Sequence, residues 1–332
     1  MRKKVFLLTV GLAAMTVLVF AQAGPYTLSI GSGAGSLTIT KIYSWGHMDG
    51  DDATFEFSAG NSATTIWNMG FFVYDEGTGE YVFMDKDFTS TTHTNNRPTD
   101  GAITNTSTQI TNTGMTFADF TDFTADLQVD LTAPNPGDTA RATWAWTFHN
   151  TGATTRALRV IWFVDVDSYL GPSNYDDDMT AFAPAVDGAG LAVAVGENDG
   201  SGNLDLNKGV FCESSVAPAR VFGITSNTGS SYYWSAQQEF ATVAPEIVFE
   251  IPSSINATIQ GDVAGGSVAL ESADTDSNGV TDAALANDCG AALQVNLNVP
   301  PSGNASVSFL ATWGKNQVLS GLNSTVPSWS LY

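Results

Sequence analysis

The chain is poor in the residues from which most redox and hydrolytic centres are assembled. It holds only two cysteines, Cys212 and Cys289, and three histidines, His47, His93 and His149. Neither cysteine has a histidine beside it, so a thiol nucleophile has no local support. The histidines are scattered, without an H-x-H or H-E-x-x-H spacing, and each reads as an ordinary polar residue rather than a metal ligand. There is no G-x-S-x-G elbow for Ser-His-Asp chemistry. No glycine-rich phosphate loop leads into a helix, which argues against nucleotide binding. Basic residues are scarce as well, 12 Lys and Arg against 34 Asp and Glu. A net charge of −22 repels phosphate backbones and anionic membrane surfaces, so no nucleic-acid partner is expected.

Two further features are nearly missing. A helical period of 3.6 is found nowhere at length, and Ala283 to Asp288 is the best, short, candidate. After Phe20 no apolar run reaches the roughly 18 residues of a membrane helix, so no span is expected beyond that point. The one long apolar run, Val5 to Phe20, follows Arg2, Lys3 and Lys4 and precedes Ala21-Gln22-Ala23. That order is the pattern of a signal peptide over 1–23, cleaved near Ala23. It predicts a protein secreted or held at the cell surface, with the periplasm as the alternative. No cysteine stands near the cleavage site to carry a lipid. Loss of the leader removes three basic residues and makes the charge still more negative. In an exported protein two cysteines most often pair, which predicts a Cys212–Cys289 disulfide.

What the chain does have is strand text. Short apolar runs alternate with Gly, Asn, Asp and Pro, the grammar of an all-β protein built as a large antiparallel β-sandwich. Residues 24–332 read as one domain, with 168–190 as the only candidate seam. The organising stretch is Arg141 to Asp167. Ala142, Trp144, Trp146 and Phe148 fall on one face of a first arm, and Thr143, Ala145, Thr147 and His149 on the other. Asn150-Thr151-Gly152 supplies a turn. The second arm, Leu158 to Val166, is apolar on both faces, which predicts a central strand covered on both sides. The two arms are expected to form a hairpin. Tyr26 to Ile30 with Ser36 to Tyr43, and Thr64 to Tyr74 with Tyr81 to Met84, read as two further hairpins.

The acidic residues offer three candidate sites. Asp274-Thr275-Asp276-Ser277-Asn278-Gly279-Val280-Thr281-Asp282 follows a D-x-D-x-N-G-x-x-D order. Oxygen ligands at alternate positions converge on a hard cation there, and the glycine permits the sharp turn between them. The nine residues resemble the calcium loops of thrombospondin type 3 repeats and dockerins. The resemblance implies side-chain ligation by Asp274, Asp276, Asn278 and Asp282, and carbonyl ligation by Val280. Leu285 stands where a full EF-hand places a bidentate glutamate, so the alternative is a polar turn that binds nothing. A weaker copy carries Glu197, Asp199, Ser201 and Asp205, and there a glycine-rich turn competes. The third group is Asp165 and Asp167 at a strand end, with Asp176 to Asp178. It reads as a cation site, as a solvated rim, or as paired carboxylates acting on a glycosidic bond.

Tyr232, Tyr233 and Trp234 are candidates for stacking on sugar rings, since three consecutive aromatics cannot all face one core. The strands around Trp67, Phe71 and Tyr74, the Trp144, Thr147, Asn150, Gly152 turn segment, and the run ending in Asp165 and Asp167 resemble a loose group of exported bacterial β-sandwich proteins. Many of that group carry a PEP-CTERM sorting tail, and Val326 to Tyr332 lacks it. The resemblance implies a sandwich and export, and no activity.

These readings predict a secreted, acidic, calcium-stabilised structural or interaction protein with a protein or glycan partner outside the cell and no catalytic residue assigned. The alternative is a carbohydrate-binding or glycan-processing sandwich. If the 274–282 loop holds calcium, Asp276→Ala lowers the melting temperature in calcium and leaves it unchanged in chelator. Equal melting of mutant and parent in both buffers removes calcium from the account.

Overall fold

A computed structural model describes residues 24–84, 98–118, 120–134, 136–166, 178–183, 192–197, 210–216, 220–226 and 288–314. The described residues are all-β, as the alternation predicts. In chain order the strands are β1 (Tyr26–Ile30), β2 (Leu37–Ile42), β3 (Met48–Ser58), β4 (Asn61–Asp75), β5 (Glu80–Met84), β6 (Ala102–Asn105), β7 (Gln109–Thr116) and β8 (Phe123–Thr132). They continue as β9 (Thr139–Asn150), β10 (Arg156–Val166), β11 (Asp178–Ala183), β12 (Ala192–Glu197), β13 (Val210–Ser214), β14 (Arg220–Ser226), β15 (Asp288–Val299) and β16 (Gly303–Gly314). They form two eight-stranded antiparallel sheets. The first has the order β1-β2-β3-β4-β10-β15-β14, with β5 pairing to β4, and the second β11-β12-β13-β16-β9-β8-β7-β6.

The β1–β2 and β4–β5 hairpins form where the sequence places them. The expected hairpin of Arg141 to Asp167 does not. β9 pairs with β8 and β16 in the second sheet, and β10 pairs with β4 and β15 in the first. The Asn150 turn therefore carries the chain from one sheet to the other. The physical reason lies in the aromatics. Trp144, Trp146 and Phe148 need an apolar surface facing them, and edge-to-edge pairing would leave both arms' rings side by side on one wet face. Stacked across the sandwich, Trp144 meets Trp162 at 5.5 Å between ring centroids, and Trp162 meets Phe309 of β16 at 5.5 Å. Phe71 of β4 meets Trp146 edge-on at 5.3 Å. Offset and edge-on pairs of this kind add about 0.5–1.5 kcal/mol each beyond their area.

The predicted central strand is found. Ile161 and Trp162, on opposite faces of β10, are both fully buried. The second sheet covers the Trp162 face, and the burial of Ile161, Phe72 and Tyr74 shows that the other face of the first sheet is covered as well.

A second connection repeats the first. β15 ends in the first sheet, and Pro300-Pro301-Ser302 leads into β16 in the second. One side chain ties the two connections together. Asn150, 1% exposed, donates from Nδ2 to the carbonyl of Thr154 (2.7 Å) and to that of Val299 (3.1 Å), and its Oδ1 accepts from the Gly152 amide (2.9 Å). Nearby, Asp75, fully buried, pairs with Arg156, whose guanidinium lies over Phe120 at 5.6 Å and Phe123 at 5.9 Å. This pair seals the same end of the sandwich. Leaving a buried polar group unpaired costs about 1–3 kcal/mol. Asn150→Ala is thus expected to lower unfolding stability by about 2–4 kcal/mol. Thr147→Ala, which removes an exposed hydroxyl contact with Ser306, is expected to cost about 0.5 kcal/mol. Urea unfolding of the two variants checks this, and equal midpoints would show the Asn150 clamp to be dispensable.

Candidate functional site

The site is built around the turn that joins β2 to β3. Tyr43 donates its amide to the His47 carbonyl (2.9 Å), and Gly46 donates to the Tyr43 carbonyl (2.9 Å). Gly46 has φ +83°, and a Cβ there would lie 3.0 Å from Leu127, 3.1 Å from Phe71 and 3.1 Å from Trp144. Only glycine lets the turn press this closely onto the core. The turn residues are accordingly sunk: Ser44 and His47 are fully buried and Trp45 is 6% exposed. The His47 ring is held by a hydrogen bond between Nδ1 and the Met69 carbonyl (2.8 Å). Tyr43 is half-buried and stacks on Trp45 at 5.0 Å and 21°.

On one side of this turn a row of polar positions crosses the first sheet. Asp49 of β3 is in register with Asn68 of β4, Asn68 with Asp165 of β10, and Asp165 with Gly290 of β15. Their chain neighbours Met48, Met69 and Val164 are buried in the core between the sheets. Strand alternation therefore assigns the Asp49, Asn68 and Asp165 positions to the opposite face, the one shared by Phe72, Tyr74 and Ile161. Two strand spacings set the Asp49 and Asp165 backbones about 10 Å apart. Directly after Asp49 the β3–β4 register shifts, so that Gly50, Asp51 and Asp52 form a bulge before pairing resumes at Ala53 and Ile66. Bulges of this kind bend a strand and concentrate beside active sites. At the other end of the same face Arg159 pairs with Glu76 and lies 6.0 Å from the Tyr74 ring.

On the other side of the turn lies the carboxylate of Asp100. Asp100 Oδ1 accepts from Ser44 Oγ (2.5 Å) and from Asn112 Nδ2 (2.7 Å). Asn112, fully buried in β7, also donates to the Ser44 carbonyl (3.3 Å), and its Oδ1 accepts from the Gly101 amide (3.0 Å). Burial raises the Tyr26 phenol above its usual range, and the Asp100 charge adds to the shift. A Cβ on Gly24 would touch both Tyr26 and the Tyr43 backbone, so the two tyrosines border one small area.

The candidate residues read from the sequence are partly separated by this fold. Asp165 sits in the first sheet, whereas Asp178 belongs to β11 of the second, where it is in register with Glu197. Asp167, Asp176 and Asp177 lie outside the described residues. So do Asp274, Asp276, Asn278, Val280 and Asp282, Asp199, Ser201 and Asp205, and Tyr232, Tyr233 and Trp234. Among the described residues no group of three or more His, Cys, Asp or Glu could hold a metal ion. Asp49, Asp100 and Asn112 were not singled out from sequence. Carboxylates around a glycine inside strand text, Asp49-Gly50-Asp51-Asp52, are a readable bulge signal. A polar Asn112 in phase with the buried Ile110 is another.

Of the two cysteines expected to pair, Cys212 is the one whose side chain is described. Cys212 is a free, fully buried thiol in β13 of the second sheet, and Cys289 lies in β15 of the first. Burial pushes the Cys212 thiol far up, and the Glu213 charge adds to the effect.

No family model matches the chain, and no curated protein matches it. Solved structures similar to it include a bacterial glucoamylase complexed with acarbose, at 7% identity and TM-score 0.45, covering 90% of this chain and 34% of that one. Another is a putative kojibiose phosphorylase from the human microbiome, at 8% identity and TM-score 0.38, covering 91% and 34%. A third is a galactose mutarotase related enzyme from Lactobacillus acidophilus, at 8% identity and TM-score 0.38, covering 88% and 99%. The chain spans about a third of the length of the first two. These are carbohydrate enzymes, and this finding overturns the expectation of a non-catalytic structural or interaction protein. It agrees with the alternative, a carbohydrate-binding or glycan-processing sandwich. At such identities and scores the likeness assigns no role to any residue.

The thiol state gives a direct check. In the native protein Cys212 is expected to resist iodoacetamide, because the nucleophile is the thiolate and the site is closed to reagent. In denaturant without reductant it is expected to alkylate fully. If mass spectrometry finds alkylation only after reduction, the thiol is bridged and the assignment fails.

Proposed function

We propose that the chain is a carbohydrate-processing β-sandwich that binds a glycan at the row of Asp49, Asn68 and Asp165 positions in the first sheet. The observation that carries this reading is the register of that row. Glycoside hydrolysis by inversion needs two carboxyl groups about 6.5–9.5 Å apart, one to protonate the leaving oxygen and one to activate a water on the opposite side of the ring. Two aspartates on the same face, one strand apart from Asn68 on either side, start from backbones about 10 Å apart. That backbone separation is of the order the required interval calls for. Asn68, between them, is a donor and acceptor suited to a sugar hydroxyl.

The experiment is a reducing-end assay over a panel of α- and β-linked glucans, galactans and mannans, with the anomer of the product followed by NMR. At least one glycan is expected to be cleaved with inversion. Asp49→Asn and Asp165→Asn are each expected to lower the rate by about 10²–10⁴ without loss of folding. Variants that cleave at the parent rate, or a protein that neither binds nor cleaves any member of the panel, would overturn the reading.

A further inference from the structure

We propose that His47 and Thr65 are positioning residues for the row of Asp49, Asn68 and Asp165, the row being taken as the glycan site proposed above. They fix β3 in register on either side of its 50–52 bulge. The weak point is the pairing of β3 with β4. Met48 and Asp49 face Met69 and Asn68, and pairing then resumes at Ala53 with Ile66 and at Thr54 with Thr64. Gly50, Asp51 and Asp52 thus stand opposite Trp67 alone, and Thr65 is an extra residue on the other strand. Asp49 therefore belongs to a ladder of two residue pairs, cut off from the rest of β3 by a double irregularity. A polar stretch that contains glycine, such as 49–52, specifies register weakly, and a slip of one residue exchanges the two faces.

Two buried side chains supply the missing specification. His47, fully buried, is bonded through Nδ1 to the Met69 carbonyl (2.8 Å). A carbonyl only accepts, so Nδ1 is the donor. The bond ties the residue before the short ladder to the strand beside it. The His47 carbonyl in turn holds the Tyr43 amide, so His47 is fixed through both main chain and side chain. At the far end of the bulge stands Thr65, also fully buried. Its Oγ1 donates to the Ala53 carbonyl (3.0 Å) and accepts from Trp313 Nε1 (2.6 Å). Trp313 belongs to β16 of the second sheet, so this end of the bulge is anchored across the sandwich.

The choice of residues goes beyond filling the core. Trp45, Trp144, Trp146 and Trp162 keep buried N–H groups without an acceptor. The core therefore tolerates unpaired indoles, and a valine at position 65 would occupy nearly the same space without a hydroxyl to bury. What the hydroxyl adds is direction, with one bond to β3 and one from β16. The two clamps also lie where the row needs them. Asn68 and Asp165 face each other within the unbroken β4–β10 ladder, which holds them in place. Asp49 is the member whose strand is irregular, and the clamps stand at the two ends of its segment. Misplacing a reacting group by about 1 Å can cost about 10²-fold in rate.

The test is amide hydrogen exchange, read by mass spectrometry, on the parent, His47→Ala, Thr65→Val and Thr65→Ser. In His47→Ala and Thr65→Val, exchange across 48–53 is expected to quicken by about tenfold or more, with β8 and β9 protected as in the parent. Thr65→Ser, which keeps the hydroxyl, is expected to exchange as the parent does. On a glycan that the parent cleaves, Thr65→Val is expected to lower kcat by about 10–100-fold with KM little changed, and Thr65→Ser to keep the parent kcat. Should His47→Ala fold poorly, the contrast between Thr65→Val and Thr65→Ser decides. Exchange that quickens uniformly or not at all, or an unchanged kcat in a loosened Thr65→Val, would overturn the proposal. A parent that cleaves no glycan overturns the reading of the row instead, and quickening confined to 48–53 then still upholds the clamp on β3.

Discussion

The fold depends on aromatic rings that can be buried only face to face. Trp144, Trp146 and Phe148 on one sheet and Phe71 and Trp162 on the other form a single layer, and each strand's place follows from supplying or covering part of it. That constraint turns the Asn150 segment from a hairpin into a passage between sheets. It places β10 at the centre of the first sheet and β9 in the body of the second. It also explains why a polar side chain is tolerated at the passage. Asn150 is buried, yet it satisfies backbone groups that neither sheet can reach, so its burial costs little. The same layer tolerates less well the indole N–H groups of Trp144, Trp146 and Trp162, which are buried without acceptors. The apolar gain of each ring evidently exceeds that penalty.

Periodicity made much of this readable. The alternation from Arg141 to Asn150 predicts the buried and half-buried sides of β9 as they are found. The doubly apolar run of Leu158 to Val166 predicts a strand covered on both faces, and Ile161 and Trp162 are so covered. Pairing was readable only where partners are close in the chain. Local turns disclose β1–β2 and β4–β5, but a two-residue period cannot say whether the next strand lies beside its predecessor or across from it. The chain's choice at Asn150 is made by rings contributed from β4 and β16, which no local window contains.

The candidate site was less legible for the same reason. Asp165 was visible as a carboxylate at a strand end. Its relation to Asp49 depends on β4 lying between β3 and β10, a fact of sheet order. The polar triad of Ser44, Asp100 and Asn112 joins three segments, and only the in-phase Asn112 gave a local sign of it. The turn between β2 and β3 is the shared support. It is fixed by Gly46 against the core, carries Ser44 toward Asp100 on one side and delivers Asp49 to the sheet on the other. Binding groups placed on a segment anchored in this way lose little order when a ligand arrives.

The two passages between sheets also govern the order in which the molecule can come together. Asn150 closes onto Val299, a residue 149 positions later, and β9 and β10 each take one of their two partners from β15 and β16. Neither sheet can be completed from the N-terminal half. Contacts of such long range slow folding, because the entropy of closing the intervening chain is lost before the contacts form. Until Gly303 to Gly314 arrives, one edge of β9 stands open beside the tryptophan layer. A strand edge of that kind is an invitation to pair with another chain. Among the described strands, β16 is therefore the one that closes the open edge of β9 beside the tryptophan layer.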